Sequence, residues 1–145
     1  MKDLLNVRTF LDHNRIWSTP NNKNITRTST STGAFAHRGE RINNNLVEEN
    51  LLEHLQKWSP FVSKFGLLLI ELHTISTDLT AKNLGKTAAT AYDATHGFSD
   101  QYIVEIDVFN KIAAEAGLFP DDKFFKRFPH TDYATVSINL LKGER

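Results

Sequence analysis

At 145 residues and 40% apolar content, the chain has the size and composition of one globular domain with a single core, which separates it from disordered and membrane proteins. Its 17 basic residues balance 17 acidic ones, so no overall field favours nucleic acid or an anionic membrane, and an enzyme or small-ligand binder fits better. The lack of cysteine excludes disulfides and thiolate ligands, leaving any metal to His, carboxylate and amide groups. No apolar run approaches the ~20 residues of a membrane span, and no basic region followed by a signal-like apolar core opens the chain. A soluble, cytoplasmic protein is the expectation.

Leu4 to Leu11, with Val7, Thr9 and Phe10, reads as a short buried strand ending at Asp12. Residues 18 to 45 are rich in Ser, Thr, Asn and Gly and read as a long, partly mobile polar loop, in which the Ser/Thr run from Thr26 to Thr32 is solvated. Leu46, Val47, Leu51, Leu55 and Trp58 then recur at helical spacing, with Glu48, Glu49, Glu53 and Gln56 between them, until Pro60 interrupts. The run from Phe65 to His73 is continuously apolar until its end, the pattern of a central parallel strand buried on both faces.

Val104, Val108, Phe109, Ile112 and Ala116 mark a second amphipathic helix with Gly117 as its C-terminal cap. Tyr133 to Leu140 alternates at period two, with Phe124 to Phe128 as its hairpin partner across Pro129. The order strand, loop, helix, strand, helix, strand, strand predicts an α/β sheet with right-handed crossovers and a closing antiparallel pair, in one domain over 1–145.

In open parallel sheets, ligands sit beyond the carboxyl ends of the strands. The first strand delivers Asp12-His13-Asn14-Arg15 there, and the central strand delivers Glu71-Leu72-His73. A following loop adds Tyr92-Asp93-Ala94-Thr95-His96, then Asp100 and Gln101. Imidazoles and carboxylates without thiols suit iron, manganese or zinc. Taken singly, each of these residues is more simply a hydrogen-bonding partner for a loop. Arg8 and Arg15 suit an anionic substrate or a surface ion pair. His37, His54 and His130 have no such company and read as surface residues. No phosphate-cradling glycine loop, nucleophile elbow or zinc-finger spacing occurs.

Several long strings resemble a known family. They are Val7-Arg8-Thr9-Phe10-Leu11-Asp12-His13-Asn14-Arg15, Glu53-His54-Leu55-Gln56-Lys57-Trp58-Ser59, Gly66-Leu67-Leu68-Leu69-Ile70-Glu71-Leu72-His73, and Tyr92 through Glu105 with the following Asp107-Val108-Phe109. Together they are similar to the C-terminal part of S-adenosylmethionine-dependent methyltransferase domains of polyketide synthase loading modules, of the kind that starts apratoxin assembly.

The resemblance implies a Rossmann-like methyltransferase half-domain. It also implies a mononuclear metal, iron or manganese, held by Asp12, His73 and, where the family is expected to have glutamine, His96. Tyr92 and Arg15 would position a malonyl-type acyl thioester, free or carrier-protein-bound, for metal-assisted C-methylation. The glycine-rich turn that holds the methyl donor is missing from the sequence. The expectation is therefore a fragment or remnant inactive alone, which either dimerises or is completed by an N-terminal half. The alternatives are an independent metal-binding hydrolase or oxygenase using the same ligands, and a non-catalytic interaction module that docks through an exposed sheet edge.

Overall fold

The computed structural model describes residues 3–62 and 64–143. In chain order the elements are β1 (Asn6–Thr9), β2 (Phe35–His37), β3 (Glu40–Ile42), α1 (Asn44–Val62), β4 (Leu67–Leu72), α2 (Thr77–Lys82), α3 (Ala89–Phe98), α4 (Ile106–Glu115), β5 (Phe119–Pro120), β6 (Lys126–Phe128) and β7 (Val136–Lys142).

The main sheet runs β1-β4-β7-β5, with β6 also on β7. β1 is parallel to β4, pairing Asn6 with Leu67 through Thr9 with Ile70. β4 is antiparallel to β7, from Leu67 opposite Leu141 to Leu72 opposite Val136. β6 pairs antiparallel to β7 with Phe128 opposite Val136, as the alternation around Pro129 predicts. The fold is α/β, with a mixed sheet compatible with a Rossmann-like half-domain.

Residues spaced four apart on α1, Val47, Leu51 and Leu55, are covered and join Val62, seven further on. They meet Val108, Phe109 and Ile112 of α4 above Leu67, Leu69 and Leu141 of the sheet, and this is the core. Pro60 lies inside α1 rather than ending it. It removes one donor in the closing turns of the helix, where little remains to be interrupted. α4 ends as expected, with Gly117 in the left-handed region.

Two features differ from the sequence expectation. The central strand is buried on one face only: Leu67, Leu69 and Glu71 are covered, while Leu68, Ile70 and Leu72 are half-buried. β7 shows the same asymmetry, with Ser137, Asn139 and Leu141 covered. β1 is the edge of the sheet rather than a buried strand, and Val7 is 57% exposed. An apolar run reads the same whether or not a second layer covers it, so periodicity does not separate the two cases. In addition, the polar stretch contains the β2–β3 hairpin. Its two-residue turn, Arg38-Gly39, has positive φ at both positions, the twist that suits adjacent antiparallel strands.

Gly66 carries the reversal from α1 into β4. Its φ is +91°, its N–H donates to the Val62 carbonyl at 2.7 Å, and a Cβ there would lie 2.9 Å from the Leu141 carbonyl oxygen. Gly66→Ala is expected to destabilise the chain by about 2 kcal/mol or more, whereas Gly97→Ala, in open space on α3, changes stability by under about 1 kcal/mol. Urea denaturation of the two variants checks this; equal midpoints would contradict it.

Candidate functional site

The carboxyl ends of β1 and β4 are adjacent because the strands are parallel, and the segment after β1 and the end of β4 both carry buried charge. Asp12 is 0% exposed and Glu71 1%. Burying two carboxylates is unfavourable unless cations and N–H groups replace their water. Glu71 accepts from the backbone N–H of Asp12 at 2.8 Å and of Leu72 at 2.7 Å, and its other contact is with Nδ1 of His13. Asp12 Oδ1 receives Nε2 of His54 at 2.7 Å and lies 3.2 Å from the Arg8 guanidinium. Burial alone would push the Asp12 carboxyl up; the His54 hydrogen bond and the charges of Arg8, His54 and Arg15 outweigh it and hold the group below the usual carboxylate range.

Arg15 donates from Nε and Nη2 to Asn50 Oδ1 of α1, at 3.0 and 2.9 Å, and from Nη1 to the Asp12 carbonyl. Burial lowers its pKa to about 10 against the pull of Asp12 and Glu71, so it stays charged at neutral pH. Arg8 stacks on Trp58 of α1, 4.3 Å from the ring centroid.

The three expected metal ligands go to different partners. His73 Nε2 is 2.7 Å from Ser137 Oγ of β7, and its ring packs edge-on against Phe109. Asp12 is engaged as above. His96 lies on α3, not on a loop, with Nδ1 2.6 Å from its own helix carbonyl at Tyr92 and its ring 5.1 Å from that of His13. Among the described residues no group of three His, Asp or Glu side chains is arranged to hold a metal ion. The donors present therefore do not fit the implied metal, and no chemistry is derived through one.

Of the two expected positioning residues, Arg15 is spent on Asn50 and Asp12, and Tyr92 packs its ring against His96. His54, read from the sequence as a surface residue, is instead a partner of the buried Asp12. The signal was present: position 54 lies seven residues after Val47 and three after Leu51, on the buried stripe of the helix.

Beyond β4 lie two clefts that share Thr74 and Ile75. The larger, about 550 Å³, is bounded by Thr32, Ser76, Glu105, Lys111, Arg127 and Asp132. The smaller, about 220 Å³, has an apolar floor of Phe35, Tyr102 and Ile103, with Asp93 and His96 at its side. Asp93 is pushed up by burial, against a hydrogen bond from Thr74.

The polar stretch forms walls of both clefts and is tied down along one side, while Thr26, Thr28, Thr30 and Thr32 remain exposed as expected. Glu48 of α1 accepts from Thr30 N and Ser31 N at 3.0 and 3.1 Å and from the Ser29 hydroxyl. Glu105 accepts from Ser31 Oγ at 2.9 Å and from Thr32 N and Oγ1 at 2.7 Å each. Arg27 bridges Glu48, Glu49 and Glu115.

Comparison with known sequences decides the family. Residues 1–139 match the AprA MT2-like methyltransferase domain family. The chain belongs to that family. No curated protein sequence matches it. Among the described residues, no helix is long and apolar enough to cross a membrane.

His73 gives a pH prediction. Burial lowers its pKa from 6.5 to about 3, so between these values the unfolded chain binds a proton that the folded one refuses. Stability from this group is complete above pH 6.5 and is lost as pH falls toward 3, with a slope of at most about 1.4 kcal/mol per pH unit. Chemical denaturation of wild type and His73→Gln between neutral pH and pH 4 is expected to show a smaller loss in the variant; parallel curves would refute the assignment.

Proposed function

We propose that the chain is the acceptor-binding half of an S-adenosylmethionine-dependent C-methyltransferase for a malonyl-type acyl thioester, free or carrier-protein-bound, and that it is inactive alone. Family membership supports methyl transfer, and the 550 Å³ cleft beyond β4 supports acceptor binding. The observation that carries the choice of a carboxylate-bearing acceptor is the pair Lys111 and Arg127. Both face this cleft, and among the described residues neither is in an ion pair. Glu105, Asp107 and Asp132 share the lining, three carboxylates against two cations, so a bound carboxylate depends on Lys111 and Arg127 directly.

The methyl donor is not accommodated in the same way. β1 leads into Phe10-Leu11-Asp12-His13-Asn14 and β4 into His73-Thr74-Ile75, neither containing the glycines that let backbone approach a nucleotide. The donor site therefore belongs to a second α/β unit, a complementing half seated at the β1 edge. Leu4, Leu5, Val7, Phe10 and Leu11, each about half exposed or more, flank that edge.

Calorimetric titration tests the reading. Malonyl-N-acetylcysteamine is expected to bind at least about tenfold more tightly than the acetyl analogue, about 1.4 kcal/mol for the added carboxylate. The Lys111→Ala/Arg127→Ala double variant should lose this preference, and S-adenosylmethionine should give no heat with the chain alone. Equal affinities for the two thioesters would reject the acceptor assignment. Tight donor binding would reject the half-site.

A further inference from the structure

The cluster at the ends of β1 and β4 holds two carboxylates, Asp12 and Glu71, and two guanidiniums stand beside it, Arg8 and Arg15. Arg8 reaches Asp12 Oδ1 at 3.2 Å and is fixed from behind by the Trp58 face. Arg15 is anchored by Asn50 and the Asp12 carbonyl and feels the charge of both carboxylates. We infer that Arg8 and Arg15 replace a metal ion here: the centre is neutralised internally by two arginines and excludes divalent cations.

Three observations carry this beyond the mismatch of ligands. First, the charges already sum to zero, so a divalent ion would enter next to two fixed cations rather than into a negative site. Second, both Glu71 oxygens are occupied, by two backbone N–H groups and His13. Of the buried acceptor atoms of Asp12, Glu71 and His73, only Asp12 Oδ2 and His73 Nδ1 lack a partner, fewer than the three protein ligands of an open metal site. Third, Arg15 lines the small space of about 10 Å³ between Asp12, His13, Glu71 and His73, so an ion there would sit beside a fixed cation.

The carboxylates are thus held in position by permanent charges whose occupancy does not depend on metal supply. Asp12 is held below the usual carboxylate range, and His54 and His13 are oriented by Asp12 and Glu71 respectively. A guanidinium cannot exchange or be chelated, so the centre would be insensitive to chelators.

The test uses the full chain and metal alone. Wild-type protein is incubated with Mn²⁺, or with Fe²⁺ under anaerobic conditions, then desalted for elemental analysis and melted with and without the ion. The expected result is under about one-tenth equivalent of retained metal and no shift in Tm, since an ion that binds only the folded state must raise it. Arg8→Met should lower Tm by leaving Asp12 uncompensated, Mn²⁺ should raise the Tm of that variant though not of wild type, and Arg8→Met/Asp12→Asn should recover stability without any response to metal. Stoichiometric metal in wild type, released by Asp12→Asn or His73→Ala, would overturn the inference. So would an Arg8→Met protein as stable as wild type. Should the arginine variant not fold, metal content and melting of the wild type decide alone.

Discussion

Glu71 is the side chain on which the arrangement of the molecule turns. β1 and β4 pair over four residues, too few to fix where the chain goes afterwards. Just past that ladder Phe10 donates to the Ile70 carbonyl at 2.8 Å and turns through a positive φ of 54°, so that Asp12 comes back toward the end of β4. Glu71 then takes the Asp12 N–H and His13, and this fastening fixes both loops. From there Asp12 meets His54, Arg8 meets Trp58 and Arg15 meets Asn50, all three partners being on α1. A buried carboxylate is costly in isolation; here it is the node where two strands and the main helix are held in mutual register.

Glu48 of α1 and Glu105, the residue before α4, do a second job of the same type. Glu48 is 0% exposed and spends its carboxylate on three donors from the segment Ser29–Ser31, while Glu105, preceding α4, holds Ser31 and Thr32. An irregular segment close to the core has backbone N–H groups with no ladder partner, and carboxylates projecting from helices satisfy them. The cleft walls are thereby attached to the elements that form the core, so ordering of the clefts and packing of the helices are one event.

Periodicity sets how much of this arrangement was legible in the sequence. The apolar stripe of α1 is found where the pattern puts it, whereas the run of β4 is covered on one face only and the alternation of β7 is inverted, with Ser137 and Asn139 covered and Val136, Ile138 and Leu140 half-buried. α2 and α3 are missed because they bury little: α2 has no buried residue, α3 buries only Ala89, and Phe98 at its end is 94% exposed. A helix that contributes no stripe leaves no 3.6-residue signal. The polar segment is misread for the reverse reason, since Ser, Thr and Asn look the same whether their partner is water or a buried glutamate. For the candidate site, Asp12, His73 and Glu71 are legible as strand-end residues; their partners are not, because hydrogen-bond assignment depends on how α1 lies across the sheet.

The uncovered face of the sheet bears on the family activity. The crossover from β1 to β4 carries α1 on one face, and α4 packs beside it on that same face; such crossovers are right-handed as a rule. Leu68, Ile70 and Leu72 of β4 and Val136, Ile138 and Leu140 of β7 are left half-buried on the other. A unit that added parallel strands at the β1 edge would run through the sheet in the opposite direction, and the same handedness would place its helices over this second face. In the proposed reading a single partner would cover both the β1 edge and this half-buried face. It would also bring its own strand ends alongside Asp12 and Thr74, where a donor bound by that partner can meet an acceptor bound in the cleft. Under that proposal the glycine-rich turn and the cover of the half-buried face would come from the same elements.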